Sequence, residues 1–288
     1  MSRRDLARHP GFAAASPSLG VLDEAAVEQA LDADVDEALT LLADLTGATD
    51  ERLRLLARRL AGRVAVRLGR GGPVRERGTG RLRRVRLTPG GELDVESSLE
   101  ALVGAAASGQ PVAVDELRAT VWGRPSAALC LVVDRSGSVG GERLATAALA
   151  AAAVATRAPD DYSVVAVNHR ALIIKPQDER RQVHAVVDDL LSLRGHGPTD
   201  LALGLDAARS QLDRSTAARR LTVLLTDGRP TAGPDPTASA RALDALVVVA
   251  PADDADQARA FAAATGARFE QVSGPSDLPR ALRFLADG

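Results

Sequence analysis

Aromatic side chains are nearly missing from this sequence, at 2% of its 288 residues, so flat platforms on which bases or sugars could stack are scarce. The core must therefore be aliphatic: 45% of the residues are hydrophobic, overwhelmingly Ala, Val and Leu. Lysine is rarer still. Lys175 stands alone among 36 basic residues, a bias toward Arg that, with the abundance of Ala, reads as the codon usage of a GC-rich bacterial genome. Set against 38 acidic residues, these bases leave a net charge of only -2. No global field gathers nucleic acid or an anionic membrane, and charge-driven binding has to be local. The single cysteine, Cys130, excludes an internal disulfide framework; lying inside an apolar run, it reads as a buried structural thiol in a reducing compartment. No run reaches the roughly 18 apolar residues of a membrane span, and Met1 to Gly20 holds no apolar stretch of signal-peptide length. The expectation is a soluble, cytoplasmic protein with no membrane partner.

What is present divides into three stretches. Residues 1–21 are expected to be a flexible lead, and 22–126 a mainly helical N-terminal region. Within the latter, apolar residues recur at helical spacing (Val27, Leu31, Val35, Leu39, Leu42, then Leu53, Leu56, Leu60) on either side of Thr46-Gly47-Ala48-Thr49-Asp50. That spacing predicts a helical hairpin, with Asp50 capping its second arm. Gly and Arg dominate 69–94, which reads as loop or hairpin around short pieces such as Leu82–Leu87. A further helix is predicted over Ser97–Ala107, stopped by Gly109-Gln110-Pro111, and the segment up to Ser126 is left unassigned.

From 127 to 288 the pattern is regular. Short apolar runs (Ala128–Val133, Tyr162–Val167, Leu221–Leu225, Leu246–Ala250) alternate with helical stretches at Glu142–Thr156, Gln182–Leu191, Asp200–Leu212, Asp254–Thr265 and Asp277–Leu285. Buried strands alternating with amphipathic helices predict an α/β fold with a doubly wound, mostly parallel sheet. Ala171–Lys175 follows so closely on Tyr162–Val167 that it reads as an antiparallel edge strand.

Three segments put oxygen-bearing side chains at strand ends or in loops, where such sheets build their binding crevice. They are Asp134-Arg135-Ser136-Gly137-Ser138, Gly197-Pro198-Thr199-Asp200 and Thr226-Asp227-Gly228. Taken alone, Ser136 and Ser138 could simply cap the next helix. In register with the other two segments, they resemble the von Willebrand factor A-type domain, whose metal-ion-dependent adhesion site has an Asp-x-Ser-x-Ser segment, a later loop Thr and a later Asp. The resemblance covers about Ala127 to Gly288. It implies a divalent cation held by Asp134, Ser136, Ser138, Thr199 and Asp227, with the hydroxyls as typical direct ligands and the carboxylates often acting through water. An all-oxygen set without thiolate or imidazole suits a hard ion, Mg2+ first and Mn2+ second. Neutral hydroxyls leave such an ion electrophilic, so an open position would favour a carboxylate from an Asp or Glu of a protein partner. Arg135, Gly137, His196 and Asp200 border the set as candidate partner contacts, although His196, like His169 and His184, reads more simply as an ordinary residue.

The densest basic stretch, Arg75, Arg77, Arg81, Arg83, Arg84 and Arg86, raises a nucleic-acid or RNA alternative. Near-neutral total charge, the downstream acids Glu92, Asp94 and Glu96, and the lack of interleaved aromatics weigh against it. A helical region, a Gly/Arg segment and Gly-Glu-Leu-Asp-x-x-x-Ser-Leu ahead of an A-type domain are similar to bacterial proteins that partner MoxR-type AAA+ ATPases; the D subunit of magnesium chelatase is a more distant likeness. This resemblance implies an accessory or chaperone-like protein coupling a separate motor to metal or cofactor insertion, or to remodelling of a client. The chain has no Gly-x-x-x-x-Gly-Lys-[Ser/Thr] loop with which to hydrolyse ATP itself. A metal-dependent hydrolase fails on residue type: a haloacid-dehalogenase centre needs Asp where Ser136 stands, and neither Ser136 nor Ser138 sits in Gly-x-Ser-x-Gly. The chain is therefore expected not to be an enzyme.

Overall fold

The computed structural model describes residues 1–69, 81–87, 92–109, 111–114, 116–123, 127–135, 141–193 and 197–283, with backbone alone for 81–86 and 121–123. The chain forms two compact units, one of Met1–Pro73 with Ala127–Ala286 and one of Val74–Ser126 with Asp287–Gly288.

The larger unit opens with five helices: α1 (Arg3–Leu6), α2 (Phe12–Ala15), α3 (Glu24–Ala33), α4 (Val35–Leu45) and α5 (Glu51–Gly69). Residues 1–21, expected to be a flexible lead, carry two short helices with buried residues. Ser2 and Asp5 form a reciprocal capping box at α1, while Leu6, Phe12 and Ala15 are buried. The predicted first arm of the hairpin is two helices, because Asp34 interrupts it. Its carboxylate accepts from the amides of Asp36 and Glu37, each at 3.0 Å, so a new helix is capped where the old one would have continued. Asp50 caps as expected, accepting from the Leu53 amide at 3.1 Å.

The smaller unit holds β1 (Arg81–Arg86), β2 (Glu92–Leu93), α6 (Val95–Ser108) and β3 (Arg118–Gly123). Its antiparallel sheet has the order β1-β3-β2. The 69–94 stretch is therefore no self-contained hairpin: β1 pairs with β3, from the segment that sequence left unassigned, and β2 lies on the other side of β3. Gly109, at φ +68, ends α6 in the left-handed conformation.

The chain then builds the main sheet: β4 (Ala127–Asp134), α7 (Gly141–Arg157), β5 (Tyr162–Val167), β6 (Ala171–Lys175), α8 (Val183–Ser192), α9 (Leu201–Leu212), β7 (Arg219–Leu225), α10 (Thr237–Arg241), β8 (Leu246–Pro251), α11 (Asp256–Thr265), β9 (Arg268–Val272) and α12 (Leu278–Ala281). The order is β6-β5-β4-β7-β8-β9, parallel except for the β5–β6 edge pair. Side chains alternate between two cores. Ala128, Cys130 and Val132 face α9 to α11, while Leu129, Leu131 and Val133 face α7 and α8. β9 and α10 escaped the sequence reading, one being a polar edge strand (Arg268-Phe269-Glu270-Gln271-Val272) and the other only five residues long.

The expected division between 22–126 and 127–288 does not match the compact units, and α7 supplies the reason. From Leu144 to Ala155 every residue except Thr146 is buried. A helix apolar all round needs cover on every side; the sheet provides one side, and α4 and α5 provide another. Alanine lets these layers approach closely. At Gly69 a Cβ would sit 2.7 Å from the Ala152 Cβ.

Candidate metal centre

The strand order places the site. From central β4 the chain crosses to β5 on one side and later to β7 on the other, which opens a crevice beyond the carboxyl ends of β4 and β7. Asp134 is the last residue of β4, and Thr226 and Asp227 follow directly on β7, whose Leu225 is registered with Val133. The Asp134 carboxylate receives two hydroxyls, from Thr199 Oγ1 at 3.0 Å and from Thr226 Oγ1 at 2.8 Å. Both threonines are buried, Thr199 completely. The three segments singled out from sequence thus meet at one point. Asp227 lies beside them, its Oδ1 accepting from the Arg229 amide at 3.1 Å and its Oδ2 lying 3.4 Å from Arg143 Nη1 of α7. Asp134, Thr226 and Asp227 share a cavity of about 110 Å³ with Glu142 and Arg143.

The Thr199 loop is held by its neighbours. Its amide donates to Thr231 Oγ1 at 2.8 Å, and its carbonyl accepts from the amides of Thr231 and Ala232, each at 3.0 Å. Asp200 caps α9 through the Leu203 amide at 2.9 Å, and its own amide donates to the Asn168 carbonyl at 2.9 Å. Gly233, two residues beyond Thr231 in the segment after β7, lies at φ +79. A Cβ there would lie 2.2 Å from the Asp200 Cγ, so conformation and space both demand glycine.

Of the other residues singled out, Ser136, Gly137, Ser138 and His196 lie outside the described residues, as do Arg75 and Arg77, and the side chains of Arg81, Arg83, Arg84 and Arg86 are likewise not described. The Arg135 amide donates to the Val167 carbonyl at 2.8 Å, and partial burial holds its guanidinium below the ordinary arginine pKa. Among the described residues no cluster of three or more His, Cys, Asp or Glu forms; the oxygens gathered here are instead a mixture of hydroxyl and carboxylate. With its hydrogen directed at Asp134, the Thr199 hydroxyl keeps oxygen lone pairs that could meet a hard cation. Sequence reasoning missed Thr226, Thr231 and Arg143. Thr226 stood in the motif unassigned, whereas Thr231 and Arg143 act on loops distant in the chain.

The model of the von Willebrand factor type A domain matches residues 128–271. Two curated relatives, uncharacterized proteins of Synechocystis sp. and Mycobacterium tuberculosis, are each 36% identical, over 107 and 144 residues. These alignments cover 35% and 46% of this chain, which spans only 24% and 22% of the relatives' lengths. Among solved structures, a von Willebrand factor type A protein from Catenulispora acidiphila is 18% identical, with a TM-score of 0.45 over 58% of this chain and 43% of that one. No helix among the described residues is long and apolar enough to cross a membrane. With the family match spanning half of the sequence, the chain belongs to the von Willebrand factor type A domain family, whose members are in general protein-interaction and adhesion modules rather than catalysts.

Proposed function

We propose that this chain is a divalent-metal-dependent protein-binding module and not an enzyme, its ion held by Asp134, Ser136, Ser138, Thr199 and Asp227. The observation that carries the reading is the Asp134 carboxylate gathering the Thr199 and Thr226 hydroxyls, with Asp227 one residue beyond. Mg2+ is the first choice and Mn2+ the second, since the donors are all oxygen. When bound, the ion supplies a hard electrophile for one carboxylate of a partner's Asp or Glu. The protein's own part is orientation: Thr231 fixes the Thr199 loop, Arg229 fixes Asp227, and Arg143 or Arg135 could receive the second oxygen of the incoming acid. On the sequence resemblance alone, the reading extends to an accessory role toward a MoxR-type AAA+ ATPase in the cytoplasm.

Titration of the full chain with Mn2+, followed by calorimetry, tests the site without knowledge of the partner. Saturable binding is expected at one site, competed by Mg2+ and lost in Asp134→Ala and Thr199→Ala. Wild-type affinity in both variants overturns the reading. Stimulation of a purified candidate ATPase, abolished by EDTA and by Asp134→Ala, tests the accessory role separately.

A further inference from the structure

The cavity that Asp134, Thr226 and Asp227 share extends well past them. It runs between the carboxyl ends of β4, β7, β8 and β9 and the first turns of α7, and Val133, Leu225, Val249 and Val272, one from each strand, line it. All four are buried members of the core that packs on α7. Even so, about 110 Å³ stays open among them, more than close packing ordinarily leaves at such a place. The charged lining residues Glu142, Arg143 and Asp253 are exposed and stand at the mouth. Aliphatic walls with a few charged groups at the rim, continuous with the Asp134 carboxylate, make a binding cleft rather than a packing defect.

Charge and size select the occupant. A carboxylate inside the cavity would face Glu142, Asp227 and Asp253, and a cationic head would lie beside Arg143 and a divalent cation. An engineered apolar cavity of roughly 150 Å³ takes one benzene ring; the space of about 110 Å³ here suits a branched aliphatic side chain better than an aromatic one. We propose, resting on the metal-dependent binding proposed for this chain, that the cavity is the specificity subsite of the metal centre and takes a Leu, Ile or Val next in sequence to the metal-bound Asp or Glu of the partner. Neighbouring Cα atoms are about 3.8 Å apart, so a partner held at the ion by its acid brings the adjacent side chain to the mouth. The site then reads an acid and aliphatic pair instead of any exposed carboxylate.

The test uses the full chain in Mn2+ and labelled peptides, capped at both ends so that one Glu is their only acid, with Leu, Ala, Phe or Lys on both sides of it. Fluorescence anisotropy should show the Leu peptide binding about tenfold or more tighter than the Ala peptide, the effect of burying one leucine side chain. The Phe and Lys peptides should bind no better than Ala, and EDTA should release all four. Thr146→Met, on the half-buried α7 residue that lines the cavity, places a pliable side chain in the space; it should erase the leucine preference and keep Mn2+ affinity by calorimetry. Independently of any variant, methyl resonances of Val133, Val249 and Val272 in isotope-labelled wild-type protein should shift with the Leu peptide and stay in place with the Ala peptide. Equal affinity for Leu and Ala, preference for Phe or Lys, or unmoved valine methyls overturns the subsite while saturable Mn2+ binding leaves the metal reading standing. A leucine preference that survives EDTA also overturns it, by detaching the cavity from the ion, and a wild-type chain that binds no Mn2+ overturns both.

Discussion

Replacing Thr231 by Val removes one hydroxyl and nearly keeps the side-chain shape. The lost oxygen is the acceptor for the Thr199 amide at 2.8 Å, and Thr199 is wholly buried. Stranding such an N–H costs about 1–3 kcal/mol. Thr231 is itself exposed, so water can reach part of the gap and the lower end, about 1 kcal/mol, applies. The two amides that Thr231 and Ala232 donate to the Thr199 carbonyl use backbone and survive. In a unit of this size 1 kcal/mol lowers Tm by about 2–4 °C. Metal affinity should suffer more than stability, because the Thr199 hydroxyl loses its fixed approach to Asp134; loss of a group supporting a ligand typically costs about 10–100-fold. Differential scanning calorimetry and Mn2+ titration read the two effects, and Thr231→Ser should restore both. A lowered Tm with unchanged Mn2+ affinity would show that Thr231 supports only the loop; an unchanged Tm as well would refute the hydrogen bond.

Burial pushes the Cys130 thiol up to about 12, so the unfolded chain gives up this proton first. The resulting stability is complete below pH about 8.5 and is lost as pH rises toward 12, at about 1.4 kcal/mol per unit; near pH 8, disulfide-exchange labelling of Cys130 should proceed only at the rate of unfolding, and fast labelling of the native protein would contradict its burial. Leu149→Ala, at a fully buried position of α7, should cost about 2–5 kcal/mol in denaturant titrations, and a loss under 1 kcal/mol would mean that α7 is not enclosed on both sides. Gly228→Ala forces a side chain into φ +80 with its Cβ 2.3 Å from the Ala258 backbone nitrogen, so at least about 2 kcal/mol should be lost from left-handed strain and collision together, measured by thermal unfolding; full stability would refute that close approach.

The sheet was legible because its strands are short apolar runs between helical periods, and β5 and β6 fall on the residues that pattern marks. The points of convergence were legible too, since Asp134, Thr199 and Asp227 stand at strand ends or loops, where a doubly wound sheet opens its crevice. What sequence left hidden depends on long-range partners. Nothing near Arg81–Arg86 says that its strand partner starts at Arg118. Thr231 has no pattern of its own and matters only because its hydroxyl reaches Thr199. The place of the N-terminal helices was written in α7 after all: an alanine run with no polar face must be covered twice, and the sheet can cover it only once.

That double cover has a consequence during synthesis. The smaller unit separates α5 from α7 in the chain, so helices carrying Leu39, Leu42, Leu53 and Leu60 leave the ribosome well before the surface they will bury against exists. Until β4 and α7 emerge, this leucine-rich layer has no finished neighbour, and its apolar surface is the part of the nascent chain most open to aggregation. Placing Met1–Pro73 after the sheet in chain order would let the sheet form first and spare the nascent chain that wait.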